Sequence, residues 1–171
     1  MVYGLGMKTL LLSSLLALAP VAALAAGPAA LGPNGGQYGH WTAAVYGQGA
    51  DKVCYAFTSA QSSTPAMQGR GKAMLTVSER HTSRDEVSVN VGYTFPHDAK
   101  VDLTVGTATF PFYTQKDMGF AADGKGTVAA FKIGNIATLA GSGPHGHGKI
   151  SDEFSLDGFS AAYDAIVNAC P

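Results

Sequence analysis

Beyond residue 40 the chain is dominated by a two-residue alternation of apolar and polar positions. That period buries one side of a strand and wets the other. Glu86 to Phe95 shows it best. Val87, Val89, Val91, Tyr93 and Phe95 fall on one face, and Glu86, Ser88, Asn90, Gly92 and Thr94 on the other. Val101, Leu103 and Val105 alternate with Lys100, Asp102 and Thr104, and Gly106-Thr107 then turns the chain into Ala108–Tyr113. Earlier, Trp41–Tyr46 and Val53–Phe57 flank Gly47-Gln48-Gly49-Ala50-Asp51, a hairpin with a five-residue loop. The polar stretch Ser59 to Arg70, broken by Pro65, reads as a loop, and Ala73–Glu79 as the next strand. Thr127–Ile133 and Ile136–Ala140 predict a further hairpin, because Gly134-Asn135 suits a two-residue turn. Ile150–Leu156 is the last strand.

The pattern changes period at the C-terminus. Phe159, Ala162, Tyr163, Ile166 and Cys170 recur at helical spacing on one stripe, with Asp157 or Gly158 as the N-cap. Many short strands followed by one helix predict a mainly β domain over residues 39–171. The expected form is a β-sandwich or curled antiparallel barrel with one C-terminal helix docked on it.

The N-terminal region obeys neither period. Lys8 is the only charge before Asp51, and Leu10 to Ala25 is apolar apart from Ser13, Ser14 and Pro20. The run ends with Ala23 and Ala25 at the small-residue positions of a cleavage site, so residues 1–25 read as a secretory signal peptide. The run is too short to span a bilayer, which needs ~20 apolar residues. The Gly/Pro-rich residues 26–38 read as a flexible leader. Composition agrees with export of an ordinary domain. The 171 residues are 46% hydrophobic and 13% charged, but much of that apolar content leaves with the signal. A formal net charge of −1 argues against a nucleic-acid partner.

Export colours the two cysteines. Cys54 and Cys170 form either one bridge or two separate thiols, and an oxidising compartment favours the bridge.

Candidate chemistry is sparse. Gly119-Phe120-Ala121-Ala122-Asp123-Gly124-Lys125-Gly126 misses a phosphate-binding loop at its last position, where Ser or Thr is required, and a β-like run follows. It reads as a turn. His145 and His147 lie two apart in Gly143-Pro144-His145-Gly146-His147-Gly148, so both imidazoles can reach one Zn or Cu ion, with His81, His97 and Asp152 as possible further ligands. The competing reading is a solvated loop. Asp85-Glu86 and Asp152-Glu153 are neighbours that face opposite ways on strands, which makes them solvated strand ends rather than acid/base pairs. Arg70, Lys72, Arg80 and Arg84 read as a solvated basic loop, and Trp41 as a buried anchor rather than a ligand platform. No sequence signature of a nucleophilic or metal-dependent enzyme is present, and no cofactor is expected.

Gly39-His40-Trp41-Thr42-Ala43-Ala44-Val45-Tyr46, then Lys52-Val53-Cys54-Tyr55-Ala56, and Glu86-Val87-Ser88 leading to Gly92-Tyr93-Thr94-Phe95, resemble the invasion-associated locus B family of alphaproteobacterial exported proteins. The most specific match is Asp152-Glu153-Phe154-Ser155-Leu156-Asp157-Gly158-Phe159-Ser160-Ala161-Ala162, closed by Cys170. The chain departs from the family pattern at Gly119-Phe120 and at the His145/His147 loop. The resemblance implies a secreted or periplasmic β domain, associated in some members with host invasion, and supplies no catalytic residue set. The expected function is non-enzymatic binding of a protein or surface partner at the envelope or on a host or environmental surface. The alternative is an extracytoplasmic Zn/Cu protein using His145 and His147.

Overall fold

In the computed structural model the alternating segments join into one antiparallel sheet. The structure describes Met1, residues 27–144 and residues 147–171, so the expected signal peptide and His145 lie outside the described residues. The strands are β1 (Ala29–Ala30), β2 (Gln37–Tyr38), β3 (Trp41–Tyr46), β4 (Val53–Ser59), β5 (Ser62–Thr64), β6 (Met74–Arg80), β7 (Glu86–Asn90), β8 (Val101–Val105), β9 (Ala108–Gln115), β10 (Met118–Ala121), β11 (Ile136–Ser142) and β12 (Lys149–Ser155). Helices are a single turn α1 (Pro33–Gly36), then α2 (Gly124–Ile133) and α3 (Phe159–Ala169). The spatial order is β1-β3-β4-β6-β7-β10-β9-β8-β11-β12-β5, with β2 also on β3. The sheet curls but its hydrogen-bonded path stays open. β5 continues β4 round a bend to pair with β12 at the far end.

The inner face of the curl is filled by the helices. Trp41, Ala56, Leu75, Val77, Val89, Leu103, Leu139 and Phe154 point inward and are buried. Phe159, Ala162 and Ile166 of α3 and Phe131 of α2 meet them. Trp41 is the joint: its ring lies 4.8 Å from Phe159 and 6.3 Å from Phe131, and its indole N–H donates to the Ser155 carbonyl at 2.9 Å. Gly158 starts α3 at φ 86, and a Cβ there would stand 2.0 Å from the Tyr38 carbonyl oxygen. Glycine is therefore required where the helix leaves the sheet.

Four expectations need correction. Thr127–Ile133 is a helix, not a strand. The Asp123 carboxylate accepts from the Gly126 amide at 2.9 Å, and Thr127, Val128, Ala130 and Phe131 are buried. A seven-residue run with five apolar positions fits either period, and the cap decides it. Gly134 accordingly ends a helix instead of turning a hairpin. The strand from Glu86 stops at Asn90, because Gly92 takes φ 73 and its amide donates to the Asn90 side chain. The polar stretch after Ser59 contains β5, paired to β12 through Ser62, Ser63 and Thr64. The stretch expected to be a free leader is laid against β3 from Ala29 onward, through Ala29 opposite Val45, Ala30 opposite Ala44, and the Leu31 amide on the Ala43 carbonyl.

Candidate functional site: the uncovered outer face

Each end of the curl holds an ion pair, one buried on both sides and one joining a buried carboxylate to an exposed arginine. At one end the Arg70 guanidinium donates to both Asp152 carboxylate oxygens, at 2.9 and 2.7 Å, with side chains only 4% and 2% exposed. Ser63 adds a hydrogen bond to Asp152, Arg70 Nε donates to the Val91 carbonyl, and the guanidinium lies 5.0 Å from the Tyr93 ring centroid. At the other end Glu79 is fully buried beside Cys54, its partner across the β4–β6 ladder. Arg84 Nε stands 2.6 Å from one Glu79 oxygen, and the Asp85 amide donates to the other at 3.1 Å. Burial outweighs these favourable contacts and pushes the Glu79 carboxyl above its usual range. Tyr163 of α3 donates to Asp85 at 2.5 Å, and burial together with that carboxylate pushes its phenol up, so it stays a neutral donor.

These pairs revise the polar readings. Asp152 is buried and paired, not a solvated strand end, while Glu153 faces outward as expected. Arg70, Arg80 and Arg84 do not form one basic loop: they pair with Asp152, Glu86 and Glu79 respectively. Cys54 and Cys170 are joined in a disulfide, Cα atoms 5.9 Å apart, that pins the end of α3 to β4. Arg84 and Lys52 hold the same end by donating to the Cys170 and Ala169 carbonyls.

The Gly119–Gly126 segment is a strand running into α2, so the expected β-like continuation is overturned. It still offers no phosphate cradle. Gly119 is paired within the sheet, and the Asp123 carboxylate occupies the helix N-terminus that an anion would need. His147 is exposed in the β11–β12 connection. His97 is bonded to Asp98 on the surface, Asp152 is committed to Arg70, and His81 lines a pocket by the C-terminus. Among the described residues no three His, Cys, Asp or Glu side chains converge on a metal position.

The remaining feature is a surface. The helices lie on the inner face, so the outer faces of β3, β4, β6, β7, β10 and β9 carry no covering layer among the described residues. Tyr55 and Phe57 stand outward with ring centroids 6.0 Å apart. Tyr113 and Phe120, opposite each other on β9 and β10, stack at 5.4 Å and 21°. Met74 is 41% and Tyr113 61% exposed. A groove of about 520 Å³ runs along this face past Ser78, Ser88, Tyr113, Met118 and Phe120 to Arg84 and Asp85. Lys and Glu, the usual outward residues of a half-solvated sheet, are nearly missing from it. The sequence held this signal at the polar positions of the alternation, where only the buried side was being read.

Comparison with known families supplies the decision. The family model "Invasion associated locus B (IalB) protein" matches residues 41–167, most of the described domain. The chain belongs to this family. A crystal structure of invasion associated protein B from Bartonella henselae matches with a TM-score of 0.57 at 20% identity, covering 78% of this chain and 95% of that one. At that identity the likeness is one of fold, and it agrees with the curled sheet and its C-terminal helix. No curated protein sequence matches the chain. The IalB match begins at Trp41 and ends within α3, so it spans both the aromatic joint and the outer face. A disulfide and IalB membership are consistent with an exported protein, and no helix among the described residues is long and apolar enough to cross a membrane.

Proposed function

We propose that the protein is exported through a cleaved signal peptide and acts without catalysis, by binding at the cell envelope or on a host or environmental surface. The observation that carries this reading is the outer sheet face, with exposed aromatics and a groove whose charged residues, Arg80, Glu86, Arg84 and Asp85, already have partners. An uncovered apolar-rich face of this kind on a domain whose inner face is already filled is an interaction surface. The polar clusters are poor catalytic candidates: Asp152 is saturated by Arg70 and Ser63, and Glu79 is enclosed. The family is named for an association with invasion.

The test is co-sedimentation of the labelled mature chain with envelope fragments of its own organism and with intact host cells. Saturable binding that is lost in Tyr113→Ser and in Thr76→Lys, with unchanged thermal unfolding, supports the reading. Absence of binding to either surface, or binding indifferent to both variants, contradicts it.

A further inference from the structure

The outer face has a regular chemistry. Strand register sets Thr42 opposite Phe57, Phe57 opposite Thr76, Thr76 opposite Ser88, Ser88 opposite Phe120, and Phe120 opposite Tyr113. Directly paired residues point to the same side, so these six side chains form one rung across β3-β4-β6-β7-β10-β9. At the ~4.8 Å spacing of neighbouring strands the rung is ~24 Å long. Aromatic rings occupy it towards both ends, with hydroxyls between them. The rungs on either side differ, with Tyr55, Ser78 and Glu86 on one and Met74, Asn90 and Met118 on the other.

Charge is confined to the margin. Arg80 and Glu86 neutralise each other at one edge, and Arg84 and Asp85 at the end of the groove are engaged by Glu79 and Tyr163. Lys72 stands alone beside Phe57 and His40 at the opposite end. Such a face complements an uncharged occupant, since a polyanion requires a cluster of unpaired cations. It is also unlike the centre of a protein interface, where apolar anchors are contiguous and seated in pockets. Here Thr76, Ser78 and Ser88 separate two aromatic pairs, Tyr55–Phe57 and Tyr113–Phe120.

We propose that this rung binds an uncharged glycan laid across the strands, a proposal that rests on the outer face being the binding surface. The weakly positive axial C–H edges of pyranose rings stack on Phe57 and on the Tyr113–Phe120 pair, whose faces are negative. The sugar hydroxyls exchange hydrogen bonds with the hydroxyls of Thr76, Ser88 and Ser78, which serve as both donors and acceptors. No covalent step is involved.

The experiment is an amide chemical-shift titration of the full mature chain with cellotetraose and, separately, with chitotetraose. The expected result is saturable shifts confined to β4, β6, β7, β9 and β10, with affinity reduced about tenfold in Tyr113→Ala, as loss of one stacking contact requires. Thr76→Lys, which places a charge in the rung without removing packing, reduces it as well. Shifts located elsewhere, or none at millimolar oligosaccharide, overturn the glycan assignment. If envelope binding then persists, is abolished by Tyr113→Ser and is destroyed by protease treatment of the envelope, the face binds protein and only the glycan assignment falls. If envelope binding is missing too, the binding reading falls with it.

Discussion

Arg70 and Asp152 show how one residue pair can fix the geometry of a whole end of the sheet. Three donors of the guanidinium are satisfied, two on Asp152 and one on the Val91 carbonyl, and its flat face rests against Tyr93. Removing one partner strands a buried charge, which costs about 3–5 kcal/mol. Arg70→Ala and Asp152→Asn are therefore each expected to lower the denaturant midpoint by that equivalent, and a loss under 1 kcal/mol would contradict the pairing. Replacing both with apolar residues of similar volume is expected to recover most of the loss. Glu79 gives a different signature. Its carboxyl is pushed up chiefly by burial, so the folded state holds the proton more tightly than the unfolded chain. That contribution is complete below the ordinary glutamate value of 4.5 and is lost as pH rises through the higher folded value. Measured by denaturation, the stability of the wild type relative to Glu79→Gln is expected to fall between pH 4.5 and neutrality. A rise over that window would show that the Arg84 charge outweighs desolvation. Neither pair was legible in the sequence: Arg70 meets Asp152 only when the sheet curls, and Glu79 with Arg84, neighbours at the β6–β7 hairpin, look like ordinary surface charges until Glu79 is seen to be buried.

At the scale of elements, the strands with clean alternation were readable: β3, β4, β6, β8 and β9 lie where the pattern puts them. The failures have physical causes. Thr127–Ile133 is β-branched and short enough to satisfy either period, and only the Asp123 cap distinguishes them. β5 and the segment from Ala29 carry no periodicity because each is an edge addition, held by backbone pairing to β12 or β3 and not by burying its own side chains. The α3 stripe was legible, and so was the choice between one bridge and two thiols once export was assumed. Cys54–Cys170 spans 116 residues and ties α3 to β4. The chain-entropy account gives ~5 kcal/mol for a loop of this size. Cys54→Ala with Cys170→Ala is expected to lower unfolding stability by several kcal/mol and to speed amide exchange in α3 before it does so in β6 and β7. Uniform loosening of all elements would mean that the helix is held by Trp41, Phe131 and Phe159 without help from the bridge.

For the molecule as a whole, the division of labour between two faces is the main result. The inner face is closed by α2, α3, the buried Arg70–Asp152 pair and the buried Glu79, and the outer face keeps aromatics and hydroxyls in register without a covering layer among the described residues. The sequence carried both halves of this arrangement in the same alternating segments. The buried half was legible from valines and leucines. The exposed half was not, because Tyr55, Phe57, Thr76, Ser88 and Phe120 acquire meaning only when strands far apart in sequence align them. The central claim is that the outer face is where this family member meets its surface. Hydrogen exchange of the protein, alone and saturated with envelope fragments, tests it most directly. The account predicts protection concentrated in β6, β7, β9 and β10, and protection centred on the His147 connection or the C-terminal pocket by His81, with those four strands unchanged, would contradict it.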